Sequence, residues 1–177
     1  MAGKWLVLKF GGTSVAGRRQ WETIASLAGA RRDEGYRVLL VCSAVVGVTN
    51  QLTSLTHHPD SETRLADLFD LHCNLSSELG VDSNVWLPEA EAGFEHCLEK
   101  ISREPSPSAT AELLAIGEWL STRIGAAFLR QNLDVGWVDA REALEIEAEA
   151  VCRFDQGTTE LRPTWAFQRS ELVENRM

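Results

Sequence analysis

The alternation of apolar runs with helically spaced apolar positions lays out the first third of the chain as strand and helix in turn. Residues 5–10, WLVLKF, form a short, largely apolar run that predicts a strand, followed at once by Gly11-Gly12-Thr13-Ser14. Trp21, Ile24, Ala25 and Ala28 then recur at intervals of three and four, while Arg18, Arg19, Arg31 and Arg32 fall elsewhere on the wheel, which predicts a helix. Thr13 or Ser14 is placed to cap that helix, and Gly35 to end it after two arginines that suit the negative end of its dipole. Residues 37–44, RVLLVCSA, predict a second strand, and their unbroken apolar run suits a parallel strand covered on both faces. Gly47 opens a turn, and Val48-Thr49-Asn50-Gln51-Leu52 begins a short helix. This βαβα order predicts a three-layer α/β sandwich around a mainly parallel sheet, whose ligands meet the carboxyl ends of the strands.

From 61 to 131 the periodicity is helical. One helix is expected over 61–79, carrying Leu65, Leu68, Phe69 and Leu71, with Ser61 as its cap and Gly80 as its stop. A second covers about 86–102, where Pro88 fits a first turn, and a long third one covers about 109–131 after the loop Glu104-Pro105-Ser106-Pro107-Ser108. Residues 134–139, DVGWVD, predict a third strand, and a segment around Val151–Phe154 is a weaker candidate. The rest of the tail to Met177 has no clear period. The chain thus divides into residues 1–141, an ordered lobe, and residues 142–177, a poorly defined tail.

Composition narrows the partners. With 177 residues, 44% hydrophobic and 24% charged, the chain is long enough to hold a core without disulfide or metal staples. No apolar run approaches the roughly 18 residues of a membrane span. A net charge of −9 speaks against general affinity for nucleic acid or anionic lipid. That charge is uneven: residues 1–57 carry seven basic and three acidic side chains (+4), residues 58–104 three and eleven (−8), and residues 105–177 seven and twelve (−5). An anionic ligand is therefore expected near the amino-terminal third. Cys42, Cys73, Cys97 and Cys152 have no metal-ligand spacing, so no metal site is expected and the thiols are read as free, with Cys42 a small core hydrophobe in its strand. His57, His58, His72 and His96 form no constellation and are expected on surfaces or helix faces. No secretory or lipidation signal is recognised, which points to the cytoplasm.

The richest chemistry lies at Lys9-Phe10-Gly11-Gly12-Thr13-Ser14. A strand that delivers a lysine near its end, followed by two glycines and a helix start, surrounds one small volume with an ammonium and exposed N–H groups, as a phosphate site requires. The glycines keep side chains out of the way of phosphate oxygens, and turns of this kind often need φ > 0. The lysine precedes the glycines, so this is not a Walker A loop, and an ordinary tight βα turn explains the glycines as well.

Four ordered blocks resemble the aspartate kinases of the amino acid kinase superfamily. KFGGTSV at 9–15 is similar to their opening signature, Ser43-Ala44-Val45-Val46-Gly47-Val48-Thr49-Asn50 to their SAxxGxTN segment, Gly117-Glu118-Trp119-Leu120-Ser121 to their GExLS helix, and Trp137-Val138-Asp139-Ala140-Arg141 to a short (W)xDxR stretch. The resemblance covers residues 4–141 and implies transfer of the γ-phosphate of ATP, with Mg, to the β-carboxylate of L-aspartate, the first step toward lysine, threonine and methionine. It implies that Lys9 neutralises the moving phosphoryl group, that Gly11, Gly12, Thr13 and Ser14 cradle it, that Ser43 and Thr49 hold the amino acid, and that Glu118 receives its ammonium. Leu113, Ile116, Leu120, Ile124 and Phe128 make the main apolar stripe of the Glu118 helix, while Leu114, Glu118, Ser121 and Gly125 share another face, where small residues beside a carboxylate leave room for a ligand. Asp139 and Arg141 fit either a structural ion pair or a place near the substrate. The family's nucleotide-binding strands and its later glycine-rich block are not matched in 142–177, so the chain is expected to be the amino-terminal half of such a kinase, self-associating through exposed strand edges. The alternatives are a binding or assembly module that keeps the half-fold without catalysis, and a kinase of the same superfamily that acts on another small carboxylate or amino acid.

Overall fold

The computed structural model describes residues 4–58 and 62–143. They fall into two compact units divided after Val135. In the first, β1 (Trp5–Phe10) and β2 (Arg37–Cys42) pair in parallel, with Trp5 opposite Arg37 and Phe10 opposite Cys42. Between them a single 3-10 turn (Gly12–Val15) leads into α1 (Arg18–Asp33). Four helices follow β2: α2 (Val48–His57), α3 (Glu62–Leu79), α4 (Leu87–Arg103) and α5 (Pro107–Leu129).

Helix ends follow from local chemistry. α1 and α3 stop where Gly35 (φ 90) and Gly80 (φ 66) adopt the left-handed conformation that a side chain disfavours. Beyond each glycine the chain closes back, Tyr36 N–H donating to Arg31 O at 3.1 Å and Val81 N–H to Ser76 O at 2.9 Å, which satisfies carbonyls that a helix end leaves over. α5 begins in the proline-serine loop itself: the Ser106 hydroxyl accepts from Ala109 N–H at 3.2 Å, and Pro107 takes the first turn.

α5 is the spine of the core. Leu113, Ile116, Leu120, Ile124 and Phe128 are all buried, as their spacing predicts. α5 packs against α1, α2, α3, α4 and β2. On α1 the buried residues are Trp21, Ile24 and Ala28.

Five expectations are corrected here. Thr13 and Ser14 do not cap α1, because they are used in the 3-10 turn closed by Ser14 N–H to Gly11 O at 2.8 Å. The helix starts later, after Gly17, and the Arg18 N–H finds its acceptor 60 residues away in the Glu78 carboxylate at 3.4 Å, while the Arg18 guanidinium donates to Glu78 O at 2.7 Å. Neither Gly11 nor Gly12 has positive φ. Residues 134–139 form no strand, since no described strand offers their backbone a ladder. Among the described residues the sheet is not fully covered on both faces: Trp5, Val7, Leu39 and Val41, side by side on one face, keep 37–57% of their surface exposed. Finally, His72 is fully buried on the core side of α3, together with Leu68, Leu75, Ser76 and Leu79.

The described part of the second unit holds α6 (Ala140–Ala143). Ser61, Cys152 and the Val151–Phe154 segment lie outside the described residues.

Candidate functional site

Parallel pairing brings the carboxyl ends of β1 and β2 to one edge, and the two loops that leave them are bonded together. Ser43 N–H donates to Phe10 O at 3.0 Å, extending the ladder one step past β2, and Val46 N–H donates to Gly12 O at 3.2 Å. Gly12 is fixed by this crossing, because a Cβ there would stand 2.7 Å from Ala44 O and 3.0 Å from Val46 N, both backbone atoms that cannot swing aside. Thus the glycine is required by close approach of two loops rather than by an unusual dihedral angle.

Lys9 is exposed and curls over the turn: a Cβ on Gly11 would stand 3.8 Å from its Nζ. Among the described residues no carboxylate lies within ion-pair distance of that ammonium. In the 3-10 turn Ser14 N–H is the first amide to find an acceptor, so the geometry leaves the preceding amides of Gly12 and Thr13 without an intrahelical partner. A cation and unpartnered N–H groups therefore lie at the same strand tip, an arrangement suited to an anion. Cys42, opposite Phe10 in the ladder, feels Lys9 weakly; burial pushes its thiol up to about 11, which keeps it protonated and inert at neutral pH.

Thr49 lies in the first turn of α2 and is exposed. Glu118 is exposed on α5, and its flanks bind the same loop. The Ser121 hydroxyl, wholly buried, donates to Ser43 O at 2.8 Å, and Gly117 packs so tightly that a Cβ would stand 3.0 Å from Ala44 Cβ and 3.1 Å from side-chain carbons of Val48 and Leu52. The structure thus joins Lys9, Gly11, Gly12, Thr13 and Ser14 to Ser43, and Ser43 to the helix turn of Glu118. One expectation fails. The small residues sharing the Glu118 face do not leave ligand room, because Ser121 is spent on Ser43 and a Cβ on Gly125 would stand 1.9 Å from the Trp21 ring.

Sequence reasoning missed Gly117 and Ser121 as the residues that join α5 to the β2 loop; their small size beside an acidic residue was the available signal. In the second unit Asp139 accepts from Arg141 N–H at 2.9 Å and from its guanidinium at 2.5–3.1 Å, a local ion pair that also caps α6. Burial opposes ionisation of Asp139, but these bonds outweigh it and hold the carboxyl below its usual range. This geometry favours the structural role for the pair.

A groove of about 610 Å³ between α3 and α4 is lined by Leu65, Phe69, Leu98, three glutamates of α4 and Arg103, and shares no residue with this edge. No three His, Cys, Asp or Glu side chains gather into a metal-binding group among the described residues. No helix among the described residues is long and apolar enough to cross a membrane.

The family model of the amino acid kinase family matches residues 4–166, and the chain belongs to that family. Its relatives are aspartokinases. Aspartokinase 3, chloroplastic, of Arabidopsis thaliana is 30% identical over 135 residues, which is 71% of this chain and 24% of that protein. The aspartokinase of Rickettsia felis is 36% identical over 72 residues, 41% of this chain and 18% of that protein. Among solved structures, E. coli aspartokinase III in complex with aspartate and ADP superposes with a TM-score of 0.64 at 29% identity, covering 82% of this chain and 33% of that one. The same enzyme in complex with lysine and aspartate gives a TM-score of 0.65 at 27% identity, over the same shares. The chain therefore spans about a sixth to a third of the relatives it matches over most of its length.

Proposed function

We propose that this chain is the amino-acid and phosphate-handling part of an aspartate kinase, which transfers the γ-phosphoryl group of ATP to the β-carboxylate of L-aspartate. The observation that carries this is the meeting of three motif blocks, 9–14, 43–49 and 117–121, at one sheet edge through the Ser43–Phe10, Val46–Gly12 and Ser121–Ser43 hydrogen bonds. The aspartate and ADP bound by a neighbour of the same fold support the choice of substrates.

In such a reaction a carboxylate oxygen of aspartate forms a bond to the γ-phosphorus while the bond from that phosphorus to the β,γ-bridging oxygen breaks, yielding aspartyl phosphate and ADP. The nucleophile is already ionised, so no general base is needed, and catalysis rests on positioning and charge neutralisation. Lys9 would offset negative charge on the phosphoryl oxygens, with the amides of Gly11, Gly12 and Thr13 and the Ser14 hydroxyl as further donors. Ser43 and Thr49 would hold the amino acid by hydroxyl hydrogen bonds. Glu118 would receive its ammonium, a charge-assisted bond about twice as strong as a neutral one.

Calorimetric titration of the 177-residue chain with L-aspartate tests this. Binding is expected for the wild type and a loss of roughly tenfold or more in Glu118→Gln, as removal of one charged bond predicts. Lys9→Ala should leave aspartate affinity nearly unchanged but weaken that for ATP, which carries the γ-phosphoryl group Lys9 would meet. Undiminished aspartate affinity in Glu118→Gln would reject the assignment. The short span relative to the kinases it resembles also favours a second reading, a non-catalytic module; binding of neither ligand would select it.

A further inference from the structure

We infer that Ser121 is a positioning residue that holds Glu118 at a fixed reach from Ser43 and Thr49, an inference that rests on the reading of Glu118 and Ser43 as amino-acid ligands. Glu118 lies between two contacts of α5 with a single loop. On one side Gly117 sits against Ala44, Val48 and Leu52 with no space for a side chain, and on the other Ser121 donates to Ser43 O at 2.8 Å. Gly117 and Ser121 are about one helical turn apart, so the two contacts fix both the rotation of α5 and its height against the loop. Glu118, exposed between them, is the member of this turn left to point outward.

The bond spans 78 residues of sequence, and its donor is wholly buried. It ends on the carbonyl of Ser43, the residue whose own N–H continues the β1–β2 ladder to Phe10 O. A hydroxyl on α5 therefore sets the backbone that carries the Ser43 side chain, while the same helix turn carries Glu118. The Ser121 hydroxyl also lies 3.1 Å from the Glu118 carbonyl, so one side chain touches the backbone of both candidate ligands. Removing it leaves the Ser43 carbonyl without its partner and lets helix and loop shift independently.

The test compares Ser121→Ala and Ser121→Cys with Ile124→Val, a truncation in the same helix whose side chain faces the core rather than the loop. Melting temperature, calorimetric L-aspartate affinity and amide hydrogen exchange are read on the full 177-residue chain. Ser121→Ala is expected to weaken aspartate binding roughly tenfold, the equivalent of one hydrogen bond, and to speed exchange at the Ser43 and Val46 amides severalfold. Ser121→Cys, which keeps a weak donor on a slightly larger side chain, should recover part of both effects. Ile124→Val should lower the melting temperature while leaving affinity within twofold and loop exchange unchanged. Aspartate affinity in Ser121→Ala that falls no further than in Ile124→Val overturns the inference, as does unchanged exchange at Ser43 and Val46. If the wild type binds no aspartate, the ligand reading fails, and loop exchange alone then decides whether Ser121 joins helix and loop.

Discussion

At Gly125 the missing side chain decides how closely α5 approaches α1. Trp21 fills that space: its ring atoms would lie 1.9–2.3 Å from an added Cβ, the residue is 1% exposed, and its indole N–H is tied to Val15 O at 3.0 Å. Gly125→Ala should therefore destabilise the fold by about 2–3 kcal/mol, in the range of overpacked cores. A urea midpoint within error of wild type would show that the α1–α5 contact yields instead. The same residue marks a limit of sequence reading. Spacing places Gly125 on the face of Glu118, yet spacing cannot distinguish a gap that awaits a ligand from one already occupied by an aromatic ring 104 positions earlier. Lys9, Gly12 and Ser43, by contrast, stand out because their order relative to the strand ends alone brings them to one edge.

Among the elements, α3 shows how far periodicity reaches. Its extent and its glycine stop are legible, since Gly80 punctuates the chain, but its inward face is not. Leu65 and Phe69 line the open groove toward α4, while His72 and Ser76 point into the core. Polar partners supplied by the turn beyond the helix make this possible: the Trp86 indole N–H donates to Ser76 Oγ at 2.9 Å, which in turn donates to Val81 O at 3.1 Å. His72 Nδ1 meets Leu68 O at 2.8 Å, and since a carbonyl only accepts, the neutral ring carries its proton there. Nε2 is then a buried lone pair with no partner among the described residues. Burial lowers the pKa of His72 from its ordinary 6.5, and the bond to Leu68 offsets only part of this. The unfolded chain therefore binds a proton that the folded chain refuses. Stability is unaffected by this group above pH about 6.5 and falls as pH drops from there toward the depressed folded value, by at most about 1.4 kcal/mol per pH unit. Urea unfolding at pH 7.5, 6.5 and 5.5 should show this slope in wild type and a shallower one in His72→Leu; equal slopes would assign the acid sensitivity to other groups.

For the whole molecule, the β1–β2 pair leaves Trp5, Val7, Leu39 and Val41 in contact with solvent on one face, with Arg37 stacked over the Trp5 ring at 4.1 Å. Parallel strands are ordinarily covered on both faces, which is why an unbroken apolar run reads as a buried strand; the run is legible, but what covers it lies elsewhere in space. The 134–139 stretch departs from the expected strand for a related reason, because a strand exists only through its ladder, and no described strand pairs with it. An apolar face beside open strand edges invites a second copy. Light scattering should give a mass that rises with concentration, and a Val7→Thr/Val41→Lys double variant should shift that rise to higher concentration; a constant monomer mass would refute self-association by this face. The bonds from Arg18 to Glu78 carry a consequence of another kind. The Arg18 amide at the opening of α1 finds its acceptor in a residue made 60 positions later, so while the ribosome is still adding residues before 78 that amide has only water to donate to. The glycine loop that precedes it can be tied by Ser43 and Val46 as soon as β2 has formed, so the two ends of the segment from Gly11 to Arg18 acquire their partners at different stages of synthesis, the loop first and the helix start only once α3 has emerged.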